Sequence, residues 1–133
     1  MSINVKFFYK DLTRNRQYEV IVTSFANLLS TLIELPEELE VCLYPLDPNV
    51  HGGIDINRVN RIVLSTNLMY EDIPKILTHE LIHVSQKHNG LLKIDRRGMC
   101  YWRGIPYTDK KPEDLSYEEY ENLPWEVDVR IRQ

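Results

Sequence analysis

Residues 72–90 read DIPKILTHELIHVSQKHNG, and this stretch has the pattern of one well-delimited amphipathic helix. Asp72 is a suitable N-cap, Pro74 fits a first helical turn, and Asn89-Gly90 is a typical helix stop. The pattern predicts a helix from about Ile73 to Lys87. Its apolar residues recur at the spacing that places them on one helix face, at Ile73, Ile76, Leu77, Leu81 and Val84.

Shorter elements are predicted upstream of this helix. Apolar runs predict strands, and apolar residues at helical spacing predict a further helix, which Pro36 ends. The strands span Asn4–Tyr9, Glu40–Tyr44 and Arg61–Ser65, the helix spans Ser24–Glu34, and Asn49–Gly53 is predicted as a loop. Tyr18–Thr23 fits either a strand or the start of that helix.

Downstream of the helix, the sequence predicts a hairpin and two short helices. Leu91–Ile94 and Met99–Trp102 are extended patches joined by the turn Asp95-Arg96-Arg97-Gly98. Ser116 with Glu119 is a capping-box pattern, and Pro124 begins a final helix that reaches about Ile131. Helices and strands are mixed without regular alternation, so we expect an α+β fold in a single domain, residues 1–133.

The composition is that of an ordinary globular protein, with 43% hydrophobic and 27% charged residues among 133. The formal net charge of -4 argues against nucleic acid as a partner, because phosphate binding needs a basic surface. No apolar run approaches the length that spans a bilayer, so no membrane partner is expected. Cys42 and Cys100 are far apart, which favours two reduced thiols.

His79-Glu80-Leu81-Ile82-His83 forms an H-E-x-x-H motif in the middle of the predicted helix. Residues four apart lie one turn apart on the same face, so both imidazoles can bind one zinc ion. Glu80 is rotated by about 100° from His79 around the helix axis, so its carboxylate borders the metal. There it can act as base towards a water that zinc has acidified. The alternative is a surface helix that carries these residues beside its apolar face.

A catalytic zinc normally has three protein ligands and one open position. The motif's own helix offers no good third ligand, because Gln86 and Asn89 occupy the places of the longer H-E-x-x-H-x-x-G-x-x-H pattern and His88 is off by one. Glu126 is preferred, since it follows Pro124-Trp125 at the start of the final helix, 43 positions beyond His83 (126 − 83 = 43), and His2Glu is a recurrent catalytic set.

Several other residues stay open as the third ligand. Residues 126 and 128 project about 200° apart on a helix, so only one of them can face the metal. Val127 and Ile131 are expected to mark the packed side of the final helix, with Glu126 at its edge and Asp128 further outward. The rivals of Glu126 are Glu121, Asp128, Cys100 and His51.

The motif, followed by Tyr120-Glu121-Asn122-Leu123-Pro124-Trp125-Glu126-Val127-Asp128-Val129, resembles the small phage and bacterial zincin peptidases of the gluzincin type, such as the SprT-like and ImmA-like groups. The resemblance covers roughly the last half of the chain. It implies a minimal zincin-like fold, in which a short mixed sheet packs on the active-site helix and Glu126 on a short C-terminal helix completes the site. The E-x-x-A pattern of that family has Val129 in its alanine place here. Arg130 stands where the longer gluzincin pattern has an aspartate that holds a histidine, so the partners of the histidines are unassigned.

Motif and resemblance together predict a zinc-dependent metallopeptidase with a protein or peptide as substrate. A non-catalytic zinc-binding interaction module and a zinc hydrolase of non-peptide amides are the alternatives. No signal-peptide pattern is present, so a cytoplasmic location is expected, in the host cytoplasm for a phage-encoded chain. The oligomeric state is not predicted.

The substrate-binding elements are predicted less sharply. Arg61–Ser65 directly precedes the motif helix, so it is a candidate edge strand for pairing with an extended peptide, or else an ordinary core strand. A hydroxyl group that stabilises the oxyanion has four candidates downstream, Tyr101, Tyr107, Tyr117 and Tyr120.

Overall fold

The computed structural model describes residues 2–7, 12–44, 52–54, 60–66, 68–110 and 114–132. His51, one of the ligand candidates, lies outside these residues. In chain order the elements are β1 (Ser2–Phe7), α1 (Leu12–Leu29), β2 (Glu38–Tyr44), β3 (Gly52–Ile54), β4 (Arg61–Ser65), a 3-10 turn (Tyr70–Asp72), α2 (Ile73–His88), β5 (Leu92–Ile94), β6 (Cys100–Trp102), β7 (Ile105–Thr108), α3 (Tyr117–Glu121) and α4 (Pro124–Arg132). The fold class is α+β, as predicted.

The first half of the chain forms a four-stranded mixed sheet with strand order β1-β2-β4-β3. β1, β2 and β4 are parallel, and β3 pairs with β4 in the antiparallel sense. β4 therefore lies between two partners, so of the two alternatives for Arg61–Ser65 the core strand is confirmed and the edge strand is wrong. The edge next to β4 is β3, which includes part of a segment that the sequence predicted as a loop.

The main core lies between this sheet and helices α1 and α2. Its buried residues are Tyr18, Val22, Ala26, Leu39, Val41, Leu43, Ile62, Leu64, Leu68, Ile73, Leu77, Leu81 and Val84. The predicted helix Ser24–Glu34 has the wrong bounds, although the alternative that places Tyr18–Thr23 in this helix is confirmed, and Leu29 and Ile33 do pack against the core. Helix α1 begins at Leu12 and buries Tyr18, Val22 and Ala26, which are four residues apart, whereas Leu28 and Leu32 are exposed.

Helix α2 agrees closely with its predicted bounds, but its start differs from the predicted cap. The side chain of Asp72 makes no capping hydrogen bond, and its backbone is already helical (φ −90°, ψ −16°) because the 3-10 turn leads directly into α2. The hydroxyl of Tyr18 contacts the carbonyl oxygens of Thr66, at 3.0 Å, and of Leu68. These contacts hold the link between β4 and α2 against α1.

The second half of the chain forms a three-stranded antiparallel sheet, β5-β6-β7, and the short helices α3 and α4. β5 and β6 form the predicted hairpin, and Ser116 and Glu119 form the predicted capping box. β7 was missed because a tight turn follows β6, with Arg103 and Gly104 both at positive φ. A second apolar cluster of Leu92, Trp102 and Trp125 holds α4 to this sheet.

Two further observations concern thiols and membranes. Cys42 and Cys100 are both free, as predicted, and Cys42 is buried. Among the helices of the described residues, none combines the length and the apolar character needed to cross a lipid bilayer.

Candidate metal centre

Helix α2 places the two histidines of the motif side by side at the surface of the main core. Their rings are 4.9 Å apart between centroids and nearly perpendicular, at 78°. His83 is 5% exposed, whereas the side chain of His79 is 30% exposed. The apolar residues of α2 are buried in the main core beside His83, whereas His79 is half-buried, so the histidines lie at the edge between core and solvent. The pair is therefore reachable from outside through His79.

Helix α4 brings Glu126 to these histidines. Its Oε1 lies 3.0 Å from Nε2 of His83 and its Oε2 lies 3.5 Å from Nε2 of His79. Glu126 is 5% exposed, although it is a carboxylate in the first turn of a short helix. An acidic side chain is rarely buried this far without compensating partners. The histidines are those partners.

The three side chains fit a divalent metal ion by their chemistry and spacing. One ligand atom from each of His79, His83 and Glu126 lies within 4.8 Å of the others. Two ligands of a tetrahedral zinc, each at about 2.0–2.1 Å, are about 3.3–3.4 Å apart. The two nitrogen–oxygen distances of 3.0 and 3.5 Å bracket that spacing. This cluster can hold a metal ion.

The histidines and Glu126 stabilise one another's charged forms. Burial raises the pKa of Glu126, but hydrogen bonding and charge from the histidines outweigh this, so its pKa is lowered overall. Burial lowers the pKa of His83, but the hydrogen bond to Glu126 and the carboxylate charge raise it overall. Glu126 is therefore held as a carboxylate, which is the form that binds metal.

Glu80, the predicted catalytic base, lies in the same region and is 8% exposed. Burial raises its pKa to about 7, with His83 acting to lower it and Glu126 acting to raise it. Glu80 directly follows His79 on α2, so it adjoins one of the candidate ligands along the helix. A carboxyl group with a pKa near neutrality can both accept and release a proton at pH 7.

Of the four candidate tyrosines, Tyr120 is the one that contacts this cluster. Its hydroxyl donates a hydrogen bond to Oε1 of Glu126 at 3.0 Å, and burial and the Glu126 charge raise its pKa. The hydroxyl of Tyr101 instead donates to Asp95, and the ring of Tyr107 packs edge-on against Trp125. Tyr117 interacts with Glu121.

Gln86 completes the surroundings of the cluster, a role that its sequence position did not predict. Its side chain is fully buried, and its Oε1 lies 2.8 Å from Nδ1 of His83. Its Nε2 donates to the carbonyl oxygen of Trp125 and to Oδ2 of Asp128, both at 2.9 Å. The contact depends on how α4 docks on α2, and no local pattern in the sequence indicates it.

The rival ligands are placed elsewhere, as far as the structure describes them. Asp128 binds Gln86 and Arg132. His88 is exposed at the end of α2, and Glu121 lies on α3, outside the cluster. Cys100 lies on β6, where its thiol contacts the carbonyl oxygen of Gly98.

The packed side of helix α4 differs from the predicted one. Trp125 and Val129, four residues apart, are buried on that side. The expectation that Val127 and Ile131 mark it is wrong, because Ile131 is 78% exposed. Glu126 directly follows Trp125, so the packing of that indole helps to place the carboxylate.

Comparisons of this chain with protein-family models, curated proteins and solved structures gave no match.

Proposed function

We propose that this protein is a zinc-dependent metallopeptidase of zincin type, in which His79, His83 and Glu126 hold the metal and Glu80 is the general base. The observation that carries the proposal is the convergence of two buried or half-buried histidines and a buried glutamate from a separate helix, with a second buried carboxyl group beside them. A structural role for these residues does not require a carboxyl group with a pKa near 7 at the same place.

The donor set favours zinc among divalent metals. Two imidazoles and one carboxylate are a common set for catalytic zinc, which keeps its fourth position open. Among the residues that the structure describes, the cluster comprises three potential ligands. Three ligands favour a catalytic zinc over the alternative of a purely structural zinc module, which normally has four protein ligands.

Bound zinc would lower the pKa of a coordinated water towards neutrality and polarise a substrate carbonyl. Glu80 takes a proton from the attacking water and later delivers it to the leaving amine. Burial favours the protonated form of Glu80, whereas a nearby cation favours its carboxylate, so Glu80 is suited to both steps. The hydroxyl of Tyr120 holds Glu126 in place.

We place the substrate along β3, because it is the edge strand on the side of α2. A methyl group on Gly52 of β3 would lie 3.5 Å from a side-chain carbon of Ile76 on α2, so β3 lies directly against the motif helix. An extended peptide can add to such an edge through main-chain hydrogen bonds. A peptide or an unfolded protein segment is therefore the proposed substrate class.

The test combines metal content with hydrolysis. Protein purified without chelator is expected to contain about one zinc per chain. It is expected to cleave a library of unstructured peptides, which new amino termini in mass spectrometry would reveal. Glu80→Gln should keep the zinc and lose hydrolysis, because it removes the base but not a ligand. His79→Ala should lose both.

Glu121→Gln is the matched control, since it makes the same chemical change on α3 and should keep both zinc and hydrolysis. A wild-type protein that takes up no zinc on titration contradicts the metal site. A Glu80→Gln variant that loses zinc as severely as His79→Ala would show that Glu80 coordinates the metal, and the assigned role would be wrong.

A further inference from the structure

The orientation of the Gln86 amide follows from its neighbours. Its nitrogen contacts the carbonyl oxygen of Trp125 and a carboxylate oxygen of Asp128, and both of these groups only accept hydrogen bonds. The amide nitrogen must therefore face α4. The amide oxygen then faces Nδ1 of His83, at 2.8 Å. If the amide oxygen and nitrogen were exchanged, the amide oxygen would face the carbonyl oxygen of Trp125, and neither of these atoms can donate a hydrogen bond.

This orientation sets the protonation of the His83 ring. An amide oxygen only accepts, so Nδ1 of His83 must carry the proton. In a neutral imidazole the other nitrogen, Nε2, then has a free lone pair, and it lies 3.0 Å from Oε1 of Glu126. Two acceptors at this distance repel each other unless a proton on His83 or a metal ion lies between them. Gln86 thus makes Nε2 of His83 ready to bind a cation.

The same amide connects the two helices that supply the ligands. His83 lies on α2, and Trp125 directly precedes Glu126 on α4. Asp128 is held in turn by Arg132, whose Nη2 lies 2.9 Å from Oδ2 and whose Nε donates to Oδ1 at 3.2 Å. A displacement of the amide would therefore affect the His83 ring and the first turn of α4 together.

We propose that Gln86 is a positioning residue of this centre, which holds His83 in the tautomer that presents Nε2 and holds α4 so that Glu126 faces the same point. The inference rests on the proposed function and extends it. Partners of this kind in metal sites typically change metal affinity or activity by about 10–100-fold when they are removed.

The test uses Gln86→Met, which keeps the length of the side chain and removes its hydrogen bonds. Zinc affinity, measured by competition with a chromophoric chelator, is expected to fall by about 10–100-fold. The 15N chemical shifts of the neutral His83 ring are measured in a zinc-free Glu126→Ala background, where no carboxylate competes for a proton on Nε2, and are expected to show a protonated Nδ1 when Gln86 is present. In Gln86→Met they should show a shift towards a protonated Nε2. Lost packing alone does not change a tautomer in this way.

Asp128 provides a second and milder set of variants, which remains usable if Gln86→Met does not fold. Asp128→Asn keeps an acceptor oxygen for the amide and should bind zinc nearly as the wild type does. Asp128→Ala removes the acceptor and should weaken zinc binding by about 3–10-fold. This is less than the roughly 10–100-fold expected for Gln86, because Asp128 acts on His83 only through the amide. Val22→Ala, in the main core, is the control for general destabilisation and should leave zinc affinity and the His83 tautomer unchanged.

The outcomes separate this inference from the proposed function. Wild-type zinc binding together with unchanged affinity and tautomer in Gln86→Met overturns the role of Gln86 and leaves the metal site intact. Equal zinc affinity in Asp128→Asn and Asp128→Ala contradicts the part played by α4. A wild-type protein that takes up no zinc overturns the metal site itself, and the inference with it.

Discussion

Glu126 and Glu121 are both glutamates of the C-terminal segment, and they differ in what surrounds their carboxylates. Glu126 is 5% exposed and contacts both histidines, whereas Glu121 is partly exposed and interacts with Tyr117. Glu126→Ala should therefore weaken zinc binding by more than the roughly 10–100-fold expected for an outer partner. Glu121→Ala should leave it unchanged. Chelator competition measures both, and similar affinities in the two variants would show that Glu126 is not a ligand.

Tyr120 supports Glu126 through a single hydrogen bond, so its contribution is expected to be smaller. Tyr120→Phe removes the hydroxyl that donates to Oε1 at 3.0 Å and should lower zinc affinity by about 10-fold. Tyr101→Phe is the matched control, because it also removes a hydroxyl–carboxylate bond, to Asp95 on the hairpin turn. Equal affinities in the two variants would show that the contact with Glu126 is incidental.

At the residue scale, the sequence predicted the parts of the site that depend on local spacing. Two histidines four residues apart must share a helix face, and a glutamate beside them must lie at its border. The roles of Gln86 and Tyr120 could not be predicted in the same way. The first depends on how α4 docks on α2 and the second on how α3 packs with α4, and an amide or a hydroxyl group has many alternative partners.

At the scale of single elements, periodicity located α2 well and α1 poorly. Helix α2 buries its regularly spaced apolar residues Ile73, Leu77, Leu81 and Val84 in the main core, so its pattern was clear. Helix α1 carries apolar residues on two faces, because Tyr18, Val22 and Ala26 are buried whereas Val20 and Leu28 are 59% and 56% exposed. An exposed stripe of this kind has the same spacing as a buried one. The short strands β3 and β7 were missed because three or four residues show too little alternation.

The edge strand β3 provides a prediction about the packing of single elements. An added methyl group at Gly52 would lie 2.9 Å from the backbone oxygen of Val63 and 3.2 Å from Leu64, whereas one at Gly53 meets nothing within 4 Å. Gly52→Ala must therefore push β3 away from β4. We expect it to lower the free energy of unfolding by about 1–3 kcal/mol.

Gly53→Ala is the control on the same strand, and its effect should stay within about 0.5 kcal/mol of the wild type or be slightly stabilising. Denaturant unfolding measures both variants. With β3 as the substrate edge, Gly52→Ala should also raise KM for peptide hydrolysis more than Gly53→Ala does. Equal stability of the two variants would show that β3 is not packed as described.

At the scale of the whole molecule, the candidate ligands come from the two halves of the fold. His79 and His83 belong to the helix that packs on the four-stranded sheet, and Glu126 belongs to the helix that packs with the small antiparallel sheet. A metal ion at this point would fasten the C-terminal segment to the main core. The main core has its own large set of buried apolar residues and does not depend on that link.

Removal of the metal should therefore loosen one part of the molecule selectively. Zinc at 100 times its dissociation constant stabilises the form that binds it by about 2.7 kcal/mol. A chelator should accordingly speed amide hydrogen exchange in α3 and α4, residues 117–132, and leave β2 and β4 nearly unchanged. The Glu126→Ala variant is the control, since its exchange in α4 should already be fast and should not respond to chelator. If exchange instead accelerates uniformly across both halves, the metal stabilises the whole fold as one cooperative unit. If exchange in α4 does not accelerate, the C-terminal helix docks on α2 without the metal.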